Sequence, residues 1–131
     1  MKAILLLISE LVFSFVVAGS DSLILSDETV RAQIAGPWIS HEILDGRATM
    51  LTVEYRPDGT IGASAEITKG RYRLKLVLTG TWRVHRGVLI SHTEATGMPP
   101  RTTTYEVIAV NEAVLVLRDR DGQVLVRHRA R

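Results

Sequence analysis

No cysteine occurs anywhere in the 131 residues. That excludes disulfide staples, thiolate metal ligands and thiol nucleophiles, so burial alone must hold the fold. It also excludes a lipid anchor of the bacterial lipoprotein kind, which needs a cysteine after its apolar leader. Long apolar runs are missing too, because Glu10 splits the N-terminal stretch into 3–8 and 11–18, and neither piece spans a bilayer. Aromatic residues make up only 5% of the chain, which leaves no supply of surface rings for stacking on bases.

Catalytic patterns are equally scarce. The segment Gly62-Ala63-Ser64-Ala65-Glu66 lacks the second glycine of a nucleophile elbow, and adjacent Ser40 and His41 point to opposite faces of a strand. Four histidines, His41, His85, His92 and His128, show neither His-x-His nor His-Glu-x-x-His spacing, although His92 and Glu94 share a strand face. Asp58, Asp119 and Asp121 sit in turns, where Asp bonds its own backbone. Every glycine falls at a turn, at a bulge or beside a tryptophan, so there is no phosphate-cradling loop. The expectation is a protein that is not an enzyme, with no catalytic residue, no metal and no cofactor.

What is present begins with an export signal. MKAILLLISELVFSFVVAGS carries Lys2, an apolar stretch and then small residues at Ala18, Gly19 and Ser20, the layout of a secretory leader. The chain divides into a signal peptide at 1–19, a short linker and helix at 20–35, and one domain at 36–131. About 110 residues support a single core and no second domain. The expected location is periplasmic or secreted. Charge is uneven: residues 20–69 sum to −4 and residues 70–131 to +6, which fits two differently charged faces of one body.

Ser26 followed by Asp27 and Glu28 reads as a helix N-cap with an acidic first turn, and Val30 and Ile34 share one face, so a helix is predicted over 27–35. From Gly36 the period changes to two. Turn residues recur at Asp45-Gly46, Pro57-Asp58-Gly59, Lys69-Gly70, Arg86-Gly87, Gly97-Met98-Pro99-Pro100, Asn111-Glu112 and Asp121-Gly122, giving eight strands. In RYRLKLVLTGTWRV, Tyr72, Leu74, Leu76, Leu78, Gly80, Trp82 and Val84 share a face, opposite Arg71, Arg73, Lys75 and Arg83. Ile61, Ala63, Ala65 and Ile67 alternate likewise, so the two segments form a hairpin with one buried side. Eight antiparallel strands with one apolar face hide it most simply by closing, which predicts an all-β, eight-stranded up-and-down barrel preceded by a short helix. Two echoes, AGPW with TGTW and YRPDGTI with LRDRDGQV, mark repeated hairpin chemistry rather than a duplicated domain, since the residues between them do not match.

A short helix followed by Gly-x-Trp, here Gly36 and Trp38, resembles the lipocalins. The runs YRPDGTI, LTGTWRVHRGVLISHTEA, MPPRTTTYEVIAV and LVLRDRDGQVLVRHR are similar to the small bacterial lipocalin-like domains, with the likeness covering residues 34–129. The resemblance implies that Trp38 closes the barrel base beneath an arginine from near the last strand. By position that arginine is Arg129, with Arg127 a near competitor. Full lipocalins are much longer and carry a disulfide, so a deep ligand cup does not follow from the likeness.

The candidate barrel lining is Ile61, Ala63, Ala65, Leu74, Leu76 and Leu78, and the two alanines either open a cavity for a small apolar ligand or make room for leucines across the barrel. The competing class is an interaction module with a packed interior. A barrel isomerase ranks third, because it needs an inward polar residue. Arg71, Arg73 and Lys75 form a basic stripe whose fitting partner in an exported, monomeric protein is an anionic envelope surface rather than nucleic acid. Mature protein recovered from the exporting host is expected to begin within a few residues of Gly19 or Ser20, by N-terminal sequencing; intact Met1 on membrane-bound material would mean an uncleaved anchor.

Overall fold

The computed structural model describes residues 25–44 and 47–130. The expected signal sequence and the Asp45-Gly46 turn lie outside the described residues. Helix α1, Asp27–Ile34, starts where the Ser26 hydroxyl accepts from the Thr29 amide at 3.2 Å, and it buries Val30 and Ile34. It ends one residue before the predicted boundary because Ala35 already has the extended ψ of 131°.

Eight strands follow: β1 Gly36–Leu44, β2 Arg47–Tyr55, β3 Thr60–Lys69, β4 Tyr72–His85, β5 Val88–Glu94, β6 Arg101–Val110, β7 Val114–Arg118 and β8 Val124–Arg129. Each pairs antiparallel with the next, and β1 pairs with β8, so the sheet is a closed up-and-down barrel of the kind the turn spacing predicts. Turn chemistry fixes the hairpins. Arg86 and Gly87 both take positive φ, 50° and 75°, in the tight β4–β5 turn. The Asn111 carboxamide oxygen accepts from the amides of Ala113 and Val114, and the Asp119 carboxylate from those of Asp121 and Gln123.

The core fills one end of the barrel, where α1 lies across it. Val30 and Ile34 pack with Trp38, Trp82, Leu89, Val107, Leu115 and Leu117. Both ends of this helix are tied to turns between strands. At its start the Asp27 carboxylate accepts from the amides of Arg86 and Gly87, at 2.8 and 3.1 Å. Arg31 reaches the Pro57 carbonyl at 2.9 Å and stands 5.0 Å from the Trp82 ring centroid. The helix is a lid on the base.

The hairpin β3–β4 departs from the expected even burial. β4 is 14 residues long, yet β5 pairs with it only from Thr79 onward, so its first half is flanked by β3 alone. Tyr72 and Leu74, expected on the buried face, are 75% and 61% exposed. Parity aims them inward, but there is no barrel wall across from them. The register itself is as the alternation implies, with Ala63 opposite Leu78 and Ala65 opposite Leu76.

Candidate functional site

The closed end is built on one pair of residues. Gly36 adopts φ 126°, open to glycine alone, and this turns the chain from α1 into β1 and aims Trp38 inward, where it is fully buried. Arg129 lies directly across the β1–β8 seam, its guanidinium carbon 3.8 Å from the Trp38 ring centroid. Its nitrogens donate to three carbonyls: Nε to Glu112 at 3.0 Å, Nη1 to Ala35 and Nη2 to Gln33, each at 2.9 Å. The indole of Trp38 donates to the Ile34 carbonyl at 2.7 Å. The helix C-terminus, whose last carbonyls would otherwise lack partners, is thus capped by the barrel, with a cation at its negative end. Burial lowers the Arg129 pKa from its ordinary value, against the opposing charge of Glu112, and leaves it protonated. Of the two arginines considered for this position, Arg129 occupies it.

The other half of the barrel is hollow. A cavity of about 360 Å³ runs inward from the β5–β6 loop, rimmed by Met98, Pro99 and Pro100 and walled by Leu51, Val53, Ile61, Ala63, Leu76 and Leu78. Of the expected lining, Ile61, Ala63, Leu76 and Leu78 face this space. Ala65 is buried but does not line it, and Leu74 stands outside at the exposed end of β4. The small side chain at Ala63 lies between Val53 and Leu78 on its two neighbouring strands, and this leaves the wall recessed.

At the inner end the apolar walls give way to polar groups. Arg127, 3% exposed, donates from Nη1 to the Tyr55 hydroxyl at 2.6 Å, and its guanidinium carbon sits 5.4 Å from the Tyr105 ring centroid. Its Nε is buried with no acceptor. Glu42 lines the same space, its carboxylate accepting from the Ser40 hydroxyl at 2.8 Å. Ser91 and Thr93 complete the polar side. Burial pushes the Tyr105 phenol above its ordinary pKa, with Arg127 opposing, so it remains an un-ionised hydroxyl. For Arg127 burial disfavours the charge, but the oxygens of Tyr55, Tyr105 and Glu42 outweigh it, and the guanidinium stays protonated.

None of these polar residues stands out in the sequence as a cavity group, although a signal was there. Strand parity counted from Trp38 puts Ser40 and Glu42 inside, and parity from Arg129 does the same for Arg127. Elsewhere, His41, His85, His92 and His128 are exposed, and His92 bonds Thr102 through Nδ1 at 2.8 Å. Among the described residues no three His, Asp or Glu side chains converge in a metal-binding arrangement. Arg71, Arg73 and Lys75 are exposed on the projecting β3–β4 hairpin.

The chain matches no protein-family model, and no curated protein matches it in sequence. Trp38→Ala is expected to cost about 3 to 5 kcal/mol as a buried aromatic truncation. Arg129→Gln is expected to cost about 1 to 3 kcal/mol through the lost cation–π contact and charged hydrogen bonds. Urea melts measure both; a Trp38→Ala loss below about 1 kcal/mol would show that the barrel base does not depend on the plug.

Proposed function

We propose that this chain is an exported, monomeric, lipocalin-like carrier without enzymatic activity, whose barrel takes up one small, largely apolar ligand. The observation that carries the reading is the cavity of about 360 Å³ with its wall of aliphatic side chains. That volume lies in the range of small-molecule sites, and eight strands suffice to hold one small ligand. A lipid-facing barrel is disfavoured by the charged groups along the outer surface, among them Glu54, Lys75, Arg83, Glu106 and Arg118, since a membrane barrel keeps that face apolar. The barrel-isomerase alternative needs an inward polar residue, and the cavity holds several, among them Glu42, Tyr55, Tyr105 and Arg127. Two of them suit binding: Arg127 and Tyr105 are both shifted upward from ordinary values already above neutral pH, and so offer a ligand hydrogen-bond donors there.

A second reading, an envelope-interaction module, has its own support at the hairpin tip. Tyr72 and Leu74 are exposed there beside Arg71, Arg73 and Lys75, an apolar and basic combination suited to an anionic surface. Replacing the three basic residues by Glu is expected to abolish cosedimentation with phosphatidylglycerol vesicles under this reading, and to leave cavity binding unchanged.

The carrier reading is tested with the neutral fluorophore N-phenyl-1-naphthylamine. Wild-type protein is expected to enhance its fluorescence saturably, and Ala63→Phe, which fills the recess between Val53 and Leu78, to reduce uptake at least about tenfold while the melt stays cooperative. Ala65→Phe, placed in packed structure, is expected instead to destabilise by about 1 to 3 kcal/mol.

A further inference from the structure

We infer that the inner end of the cavity is an anion site, and that the ligand is an amphipathic carboxylate: its head meets Arg127 and the hydroxyls of Tyr55 and Tyr105, and its apolar body lies along Leu51, Val53 and Leu78. This rests on the carrier reading and adds the chemical class of the ligand. The starting point is an imbalance. A guanidinium offers five N–H donors and accepts nothing. Among the described residues Arg127 meets one acceptor, the Tyr55 hydroxyl at 2.6 Å, while its Nε is buried without a partner and the residue is only 3% exposed. No ion pair holds it: the salt bridges among the described residues are Arg56 with Glu54 and Arg118 with Glu106, both on the surface.

A buried cation without a counter-ion is costly, and a protein that needed only a filled core would place a leucine there. The Tyr105 ring, 5.4 Å away, eases the charge without satisfying the donors. Glu42, the carboxylate of this cavity, favours the Arg127 charge from a distance, but it is engaged by Ser40 at 2.8 Å and forms no ion pair or hydrogen bond that would satisfy the guanidinium donors. The unmet donors therefore point to an acceptor that enters through the mouth. A carboxylate suits them, because its two oxygens accept both guanidinium and phenol hydrogen bonds, and such charge-assisted bonds are about twice as strong as neutral ones. Arg101 at the mouth, beside Met98 and Pro100, gives the approaching anion a favourable field. Glu42 works in the opposite sense, repelling an anion, and so provides a control.

Calorimetry with decanoate, decanol and decyltrimethylammonium tests the inference on wild-type protein, with no variant needed. The expected order is decanoate tighter than decanol by at least about tenfold, with the cation weakest. Arg127→Gln should erase the preference of decanoate over decanol while N-phenyl-1-naphthylamine uptake persists. Glu42→Gln should strengthen decanoate binding severalfold and leave decanol binding unchanged, which locates the carboxylate head in the polar part of the cavity. Equal affinity for decanoate and decanol would overturn the anion site and leave the carrier standing. Decanoate binding without uptake of the neutral fluorophore would support the anion site and revise the carrier reading toward amphiphiles alone. No binding of any of these molecules would overturn both.

Discussion

The guanidinium of Arg129 is the constraint on which the remainder of the structure depends. It lies on the face of Trp38, 3.8 Å from the ring centroid, and grips carbonyls from three places: the end of helix α1, the turn into β1 and the β6–β7 connection. One side chain thereby joins the helix lid, the first strand and the last strand. A lysine in its place would carry the charge but not the planar fork, and could not serve three acceptors while stacking on an indole. The second tryptophan repeats the scheme more loosely. Trp82 donates to the Arg56 carbonyl at 2.8 Å, packs edge-on against Tyr55 with centroids 5.1 Å apart, and has Arg31 over its ring. The AGPW and TGTW echo therefore has a shared physical use, an arginine-covered ring at the base of the barrel.

From that base the barrel divides into a dry half and a hollow half. The dry half is close-packed aliphatic and aromatic structure under α1 and supplies the burial that a chain without disulfides needs. With that end sealed, the upper half is free to hold polar groups that a core would reject. Tyr55 is the hinge between the two: its ring rests on Trp82, in the packed layer, and its hydroxyl meets Arg127, in the cavity. Stability and binding are thus segregated along the barrel axis, and the costly buried cation is supported from below by the best-packed part of the molecule.

Most of the architecture was legible because its determinants are local. Turn residues fix hairpins one at a time, so Asn111 and Asp119 announce their own backbone bonds, and eight strands follow from counting. The helix boundary was readable from Ser26, and the tryptophan plug was implied by the resemblance that Gly-x-Trp carries. Two things were not local. The exposure of Leu74 depends on where β5 ends relative to β4, a difference in strand length set by the Gly97 to Pro100 loop. The polar cavity groups were obscured for another reason: a polar residue within a strand looks like an outward position, and Glu42, Tyr55, Tyr105 and Arg127 break the alternation only once the inner face has been assigned from its neighbours. Arg127 was visible but weighed for the wrong place, as a competitor for the base.

The seam between β1 and β8 is joined by two residue pairs, Trp38 with Arg129 and Ile39 with His128, whereas β1 and β2 pair along nine. Seven of the eight strand pairings can form between sequence neighbours as each hairpin zips. The eighth must bring together the two ends of the domain, and its loop-closure entropy is the largest of all. Until it forms, the sheet has two free edges open to other chains. Ring closure is thus the most non-local pairing of the fold, and it has few ladder bonds to hold it. A pair that locks a cation onto a plug and onto three carbonyls at once gives this short seam the character of a latch, and folding ends when it shuts.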